Sequence, residues 1–368
     1  MSLTLVTAFF DLNKYETRET HKSKENYIKW AEFLFNLDIN MVFFVEKNLA
    51  DHVFQRRKYF GNKDKTLIIT KVFEELPWNG CNPDIDTYLK EHPIVNGTLN
   101  KDSRRYLSLT WNKLYMVEEI MINNPFNSQY FGWIDFGIYN VVANKMPSEK
   151  LNDSFFIPET DKIKVMELRC VSPIETENIY EFTSRFRWKI AGGLWVAYYK
   201  PLTEFINHFK TQLYDLLSKR IAVHEETIFS LVYCKHKELF DPYYGDYWDI
   251  LANYNTLTYT GRVFDNIELS KNIGLYDNVE RICNKIISDC YHSLPTEKKF
   301  TLFDELTLNS YYVDRNRSRK YILQWLDKLK DDTGQLILAK LHLDRLRNNF
   351  SFYDNGEELI KKLENILY

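Results

Sequence analysis

Short apolar runs alternate with helically spaced apolar positions along the first half of the chain. The runs are near-continuous, which is typical of strands buried on both faces of a sheet. They are residues 3–10, 41–45, 66–72 and 130–134. Before the last run, Leu107 and Leu114 belong to a long amphipathic helix that should end ahead of Pro125. This alternation predicts an α/β fold in which helices cover a sheet.

The middle of the chain adds further strands and helices. Residues 163–171 and 187–199 have the composition of strands. Pro201 opens a helix, since proline is tolerated in the first helical turn, and another helix begins near Glu225. Residues 241–247 are crowded with tyrosines, and their Asp, Pro and Gly residues predict a turn-rich segment.

From about residue 264 the strand pattern gives way to helical spacing alone. Val279 and Ile282 fit one helix face, and similar sets recur to the end of the sequence. Short helices in succession are typical of helical hairpins. We therefore predict an α/β domain over residues 1–262 and a small all-α helical-hairpin domain over 263–368, with the boundary near residues 255–265.

Composition narrows the functional classes. The 368 residues carry a net charge of −3 with mixed signs, so the basic excess expected of a nucleic-acid-binding protein is absent. Phe, Trp and Tyr make up 16% of the chain. This aromatic excess suits a protein that stacks flat ligands such as bases and sugar rings; a biased coding sequence is the alternative.

Cysteine usage and hydropathy bear on location. The five cysteines are odd in number, scattered and without a CxxC pair, which indicates a reducing compartment. The first residues lack the basic segment of a signal peptide, and no apolar stretch approaches 18 residues. We expect a cytoplasmic protein with no transmembrane segment.

Several catalytic signatures are absent from the sequence, including phosphate-loop, dinucleotide-binding and GxSxG patterns. His224 begins a zincin-like HExxx segment that lacks the second histidine. What remains is Asp135, which directly follows the apolar run 130–134. Ligands of open α/β sheets bind at the carboxyl ends of strands, where an Asp can reach Mg²⁺ or Mn²⁺. A turn-forming Asp before glycine is the alternative.

A set of motifs in order and spacing resembles the HtrL/YibB family, whose members resemble glycosyltransferase-A enzymes. The motifs, which span roughly residues 3–250, are Val6-Thr7-Ala8-Phe9-Phe10-Asp11, Trp111-Asn112-Lys113, Asn124-Pro125-Phe126-Asn127, Trp133-Ile134-Asp135-Phe136-Gly137-Ile138, Gly192-Gly193, His224-Glu225-Glu226 and Tyr243-Tyr244-Gly245-Asp246-Tyr247. The family often has Ala at the position of Phe136. The resemblance implies a glycosyltransferase-A-like mixed sheet, flanked by helices, that binds a nucleotide sugar.

The resemblance also implies roles for residues of the first strand and the long helix. Thr7, Ala8 and Phe9 would hold the base and ribose of the donor, and Arg18 would represent an Arg of the family. Lys113 would meet the diphosphate; a solvated helix lysine is the alternative.

The remaining implied ligands come from later segments. Asp135 would bind Mn²⁺ or Mg²⁺, although Gly137 stands where the usual DxD motif has its second acid. Asp246 and its neighbouring tyrosines would complete the metal or phosphate site. Gly192 and Gly193 would allow the backbone to approach the donor sugar or the acceptor closely, with a β-bulge as the alternative.

Two adjacent glutamates are the candidates for proton transfer. Glu226, or else Glu225, would deprotonate an acceptor hydroxyl. Paired glutamates at a helix start also favour the helix dipole, which is a purely structural alternative.

The leading hypothesis is therefore a glycosyltransferase, of the hexosyltransferase class, that uses a nucleoside-diphosphate sugar and a glycan or protein acceptor. The rival is a non-catalytic nucleotide-sugar-binding or protein-interaction module with a degenerate transferase fold. The helical C-terminal domain would serve acceptor choice or homo-oligomer formation. The donor sugar and the stereochemical outcome are left open.

Overall fold

The computed structural model describes residues 2–14, 23–78, 84–95, 101–142, 151–258, 262–295, 298–299, 301–303, 305–306, 321 and 361. The chain divides into two compact units, residues 1–255 and 256–368. The predicted site residue Arg18 and most of the helices predicted after residue 306 lie outside the described residues.

The first unit is built on one sheet. Its strands are β1 (Leu3–Phe9), β2 (Asn40–Val45), β3 (Thr66–Thr70), β4 (Tyr130–Ile134), β5 (Ile163–Glu167), β6 (Ile190–Tyr198) and β7 (Phe240–Tyr244). They lie in the order β3-β2-β1-β4-β6-β5-β7. Strand β6 runs antiparallel to β4 and β5, and the other neighbouring pairs are parallel.

Helices lie on both faces of this sheet. Within the described part of the first unit they are α1 (Lys24–Asn36), α2 (Lys47–Tyr59), α3 (Ile85–Glu91), α4 (Arg104–Asn123), α5 (Asp153–Phe156), α6 (Pro173–Glu177), α7 (Ile179–Thr183), α8 (Tyr199–Ser218) and α9 (Glu225–Lys235). The predicted α/β fold with a mixed sheet flanked by helices is confirmed.

Alternation along the strands divides the core between the two faces. Val42 and Phe44 of β2 pack with residues of α4, α8 and α9, whereas Met41 and Phe43 pack with residues of α1 and α2. Both sets are fully buried. Because β2 is covered on both sides, its sequence is a continuous apolar run rather than an alternating one.

Helix α4 brings one face of the long amphipathic segment onto the sheet. The Ser103 side chain accepts a hydrogen bond from the backbone N–H of Tyr106 at 3.1 Å, which caps the start of the helix. Asn124 ends it in the left-handed region with φ of 37°, as asparagine tolerates better than most residues. Between these ends the helix buries charged and polar residues as well as apolar ones.

One strand differs from the prediction. Residues 241–247 were expected to form a turn-rich segment, but β7 begins at Phe240 and includes Pro242. Strand β7 lies at the edge of the sheet and pairs with β5. An edge strand tolerates proline because one row of its backbone groups has no ladder partner.

The second unit is helical where it is described. Helices α10 (Val263–Asn272) and α11 (Tyr276–Asp289) are joined by Gly274, whose φ is 74°. Val279, Ile282 and Ile286 are buried on α11, as their spacing predicts. Across both units, none of the described helices has the length and apolar character that crossing a membrane requires.

Candidate active site

Most of the candidate residues that the structure describes lie at the carboxyl ends of the parallel strands β1 and β4. Val6 of β1 pairs with Trp133 of β4, so the residues that follow in each strand reach the same edge. The strand order reverses between β1 and β4, so the connections that follow these two strands lead in opposite directions. Ligand sites of open sheets usually lie at such a position. Antiparallel β6 starts at this edge, and the Asp135 backbone N–H donates to the Gly193 carbonyl at 2.8 Å.

Lys113 of α4 joins two acids that are distant in sequence. Its Nζ lies 2.6 Å from Glu225 Oε1 and 2.9 Å from Asp135 Oδ1. The Lys113 side chain is 8% exposed and that of Glu225 is 5% exposed, whereas that of Asp135 is 33% exposed. The alternative of a solvated helix lysine is therefore wrong, because Lys113 is a buried cation between two carboxylates.

The pKa values of this group follow from burial and mutual charge. Burial alone would lower the pKa of Lys113, but the charges of Asp135 and Glu225 outweigh it and raise the pKa. Burial alone would raise the pKa of Glu225, but the charge and hydrogen bond of Lys113 outweigh it and lower the pKa. Lys113 and Glu225 thus form a buried ion pair at neutral pH.

The pKa of Glu226 is shifted in the opposite direction from that of its neighbour Glu225. Its Oε1 accepts a hydrogen bond from the Gly192 backbone N–H at 2.9 Å. Burial, and then the negative charge of Glu225, raise the pKa of Glu226 to about 7. Two carboxyl groups adjacent in sequence are therefore held in different protonation ranges, which is the arrangement that separates a permanent anion from a proton acceptor.

Gly192 and Gly193 allow these side chains to approach β6. A Cβ on Gly192 would lie 2.6 Å from Glu225 Oε1, and one on Gly193 would lie 2.7 Å from the Tyr247 hydroxyl. A side chain at either position would therefore displace Glu225 or Tyr247. Val165 pairs with Trp195 and Glu167 with Ile190, so the sheet register also shifts across the two glycines, as a bulge would produce.

Two tyrosines complete the site. Burial, and then the charge of Glu225, raise the pKa of Tyr106. Burial, and then the charges of Glu226 and Asp135, raise the pKa of Tyr247. Tyr106 was not a predicted site residue. Its position seven residues before Lys113, two turns along α4, is the signal that places both on one helix face.

The first strand contributes mainly backbone to this edge. Thr7 and Phe9 are buried, and Phe9 packs against Tyr27 and Phe136 with ring centroids 5.1 Å apart in each case. Ala8 is partly exposed. A donor base that lies along this strand would therefore meet Ala8 and the backbone rather than the side chains of Thr7 and Phe9.

Asp246 has a capping role in the segment after β7. It is buried, and its Oδ1 accepts a hydrogen bond from the Tyr247 backbone N–H at 2.8 Å. Its own backbone N–H donates to Asp249 Oδ2 at 3.1 Å. These contacts begin the short 3-10 helix Tyr247–Asp249 and so orient the chain that carries Tyr247.

Asp135 is the carboxylate available for a divalent cation. Its Oδ1 accepts from Trp133 Nε1 at 2.6 Å and pairs with Lys113. A Cβ on Gly193 would lie 3.4 Å from Oδ2, so glycine leaves space beside that oxygen. One carboxylate together with substrate phosphates is an ordinary way to hold Mg²⁺. Asp135 fits this mode, and no trio of His, Cys, Asp or Glu among the described residues forms an all-protein metal cage.

The position of the second acid of a DxD motif is closed by packing. A Cβ on Gly137 would lie 2.7 Å from the Tyr27 ring. An aspartate there would displace Tyr27, which in turn packs against Phe9 and Trp30. The glycine is therefore explained by the aromatic cluster on α1 beside it.

The fold and this edge define an α/β protein whose mixed sheet ends in a buried cluster of acids, lysine and tyrosines. Residues 1–256 match the family HtrL_YibB, described as bacterial protein of unknown function. The chain belongs to this family, which confirms the resemblance noted from its motifs. No curated protein matches the chain.

A solved structure is similar to part of the chain. It is the crystal structure of mouse Xyloside xylosyltransferase 1 in its apo form, with 13% sequence identity. The similarity covers 66% of this chain and 84% of that chain, with a TM-score of 0.37.

Proposed function

We propose that this protein transfers a glycosyl group from a nucleoside-diphosphate sugar to a hydroxyl group of an acceptor. The observation that carries the proposal is Glu226, a buried carboxyl group with a pKa of about 7 beside the Lys113–Glu225 ion pair. A general base with a pKa near the working pH combines a useful ionised fraction with adequate basicity.

Glu226 takes the proton of the acceptor hydroxyl in this proposal. The acceptor oxygen forms a bond to the anomeric carbon as the bond from that carbon to the diphosphate breaks, and the electron pair leaves with the diphosphate. The Gly192 N–H holds Oε1 of Glu226, which restricts the carboxyl group to one orientation. Such pre-set orientation is a large part of catalytic efficiency.

The leaving diphosphate gains negative charge, which Lys113 would help to stabilise. Lys113 is a fixed cation at neutral pH, and its charge is shared with Asp135 and Glu225. Fixed charges in a partly buried site stabilise developing charge more strongly than they would in water. Tyr247, close to Gly193, offers a hydroxyl donor on the same side.

A divalent cation, Mn²⁺ or Mg²⁺, is part of the proposal. Asp135 would hold it together with the donor phosphates, and the ion would supply neutralisation of the leaving diphosphate. The base and ribose would lie at Ala8 with Thr7 and Phe9 behind it. Arg18 and Asp246 complete the set of proposed donor contacts.

The non-catalytic rival is supported by one observation. Tyr27 fills the position of the second DxD acid beside Gly137, so a two-acid metal site is closed. If catalysis needs that two-acid site, the nucleotide sugar would bind without turnover. The acceptor, whether glycan or protein, would then have no role.

The deciding assay measures release of nucleoside diphosphate from a panel of donor sugars, with and without Mn²⁺ and with mixed glycoside acceptors. We expect release by the natural protein and a loss of about 10²–10⁴-fold in acceptor-dependent release for Glu226→Gln. Glu119→Gln is the matched control, because Glu119 pairs with Lys71 at the surface. Donor binding without release by the natural protein would support the rival module.

Two further expectations accompany this proposal, one about location in the cell and one about assembly. Cys170, Cys234, Cys283 and Cys290 are free thiols, which supports a reducing, cytoplasmic location. Homo-oligomer formation through the C-terminal unit is retained as a proposal, to be measured by light scattering of the full chain.

A further inference from the structure

A strained and exposed tryptophan stands beside Glu226. Trp188 has a φ of 45°, in the left-handed region, and 43% of its surface is exposed. A bulky residue in that region is a true outlier. Such strain persists only where the surrounding structure enforces it, and it concentrates at ligand-binding positions.

Contacts on both sides of Trp188 hold it in place. The Lys189 ammonium, which is buried, donates to the Cys170 carbonyl at 2.7 Å and pairs with Glu175 at 2.8 Å. The Arg187 guanidinium donates to the Phe182 carbonyl at 3.0 Å. These contacts anchor the residues on either side of Trp188.

The indole extends an aromatic surface that starts in the core. Phe186 meets Trp188 edge-to-face, with ring centroids 4.9 Å apart. On its other side Phe186 lies 4.9 Å from the ring of His224, the residue before Glu225. The surface is thus fixed to the start of α9, the helix that carries Glu226.

A pocket connects this aromatic surface with the proposed base. Phe186, Trp188, Glu226 and Ser230 are among the residues that line it. Its volume is about 10 Å³, which is about the space of one water molecule. It therefore admits one hydroxyl group, and a ring that presents this group would lie outside it on the exposed indole.

We propose that Trp188 and Phe186 form the binding subsite for a sugar ring of the acceptor, which is therefore a glycan. A pyranose has a C–H face that packs on an aromatic ring and a rim of hydroxyl groups. With that face on the exposed indole of Trp188, one hydroxyl of the rim would enter the pocket beside Glu226. This inference rests on the proposed function, since it names the acceptor class for the same base.

Binding is tested apart from turnover by saturation-transfer NMR. The full chain is mixed with methyl glycosides of glucose, galactose, xylose and N-acetylglucosamine. We expect transfer to the ring protons of at least one glycoside, a loss of about tenfold or more with Trp188→Ala, and retention with Trp188→Phe. Absence of transfer to every glycoside, or an unchanged signal in Trp188→Ala, would overturn the subsite.

Tyr199→Ala is the matched control. Tyr199 follows the far end of β6, is 49% exposed and packs on Tyr198 with ring centroids 4.6 Å apart. It resembles Trp188 in exposure and aromatic contact but lies away from Glu226. Its replacement should leave glycoside binding unchanged, and an equal loss in both variants would refute a specific role for Trp188.

A second variant separates ligand binding from packing. Trp188→Gly removes the strain of the left-handed backbone, so its melting temperature should equal or exceed that of Trp188→Ala while glycoside binding is lost. If Trp188 served only to pack the fold, Trp188→Gly would still be no less stable than Trp188→Ala, because both variants lose the indole, but both would bind glycosides normally.

Failure of the subsite and failure of the proposed function give different results. If the natural protein releases diphosphate in an acceptor-dependent way and Trp188→Ala has the same acceptor KM, the subsite is wrong and the transferase stands. If glycosides bind through Trp188 but no donor is consumed, the subsite stands and the transferase is wrong. A protein acceptor would give the first of these results.

Discussion

Replacement of Lys113 by methionine removes a buried positive charge while it preserves most of the side-chain volume. Glu225 is then left buried without its partner at 2.6 Å, and Asp135 loses its partner at 2.9 Å. Methionine fills the space of the lysine stem, so cavity formation contributes little. The variant therefore isolates the electrostatic part of the interaction.

The magnitude follows from the exposure of each partner. Removal of one member of a buried ion pair costs about 3–5 kcal/mol, because the remaining charge is uncompensated. The Lys113–Asp135 pair adds less than about 1 kcal/mol, since Asp135 is partly exposed to solvent. At about 2–4 °C per kcal/mol for a unit of this size, the melting temperature should fall by about 6–24 °C.

The loss should also depend on pH in a direction that the pKa shifts determine. In the natural protein the lowered pKa of Glu225 contributes stability above its unfolded value of 4.5, and this contribution is lost as the pH falls through the folded pKa. Without Lys113, the two largest contributions that oppose burial are lost, so the folded pKa of Glu225 should exceed 4.5. The variant should then lose stability as the pH rises, so the difference is larger at pH 7.5 than at pH 4.5.

Urea unfolding followed by circular dichroism at pH 4.5, 6.0 and 7.5 measures both effects. Lys113→Met with Glu225→Gln should recover most of the loss, because neither partner then leaves a buried charge. Lys210→Met is the control, since Lys210 pairs with Glu118 near the surface and should change stability by no more than about 1 kcal/mol. A loss below about 1 kcal/mol for Lys113→Met, or one independent of pH, would refute the buried ion pair.

Three further predictions concern the base, the cation and the division of the chain. The transfer rate should rise with pH through about 7 as Glu226 ionises. Glu226→Gln should be more stable than the natural protein at pH 8 but not at pH 4, because an acid whose pKa is raised by folding lowers the stability of the folded state as the pH rises. Asp135→Asn should weaken Mn²⁺-dependent binding of uridine or guanosine diphosphate in calorimetry while unfolding changes by about 1 kcal/mol; equal, metal-independent affinities would remove Asp135 from the site. Limited proteolysis should leave a fragment of residues 1–260, and a main cut elsewhere would contradict the predicted boundary.

Local patterns in the sequence were enough for most of the sheet. A strand covered on both faces must be apolar at successive positions, so β1, β2 and β4 are visible as uninterrupted runs. The end of the run 130–134 also placed Asp135 directly after β4, at the carboxyl ends of the parallel strands. Strand β7 was missed because Pro242 is acceptable only at a sheet edge, and edge position is a property of the whole strand order.

The sequence by itself determined which residue types are present at the edge of the sheet, and tertiary structure alone decided how they interact. A lysine on a helix is usually exposed to solvent, whereas Lys113 is buried because Asp135 and Glu225, the latter 112 positions away, offset its charge. The adjacent residues Glu225 and Glu226 are equivalent in sequence. Their pKa values diverge because helix α9 directs Glu225 to Lys113, which lowers its pKa, whereas burial and then the charge of Glu225 raise the pKa of Glu226. This distinction depends on the packing of α4, α9 and β6.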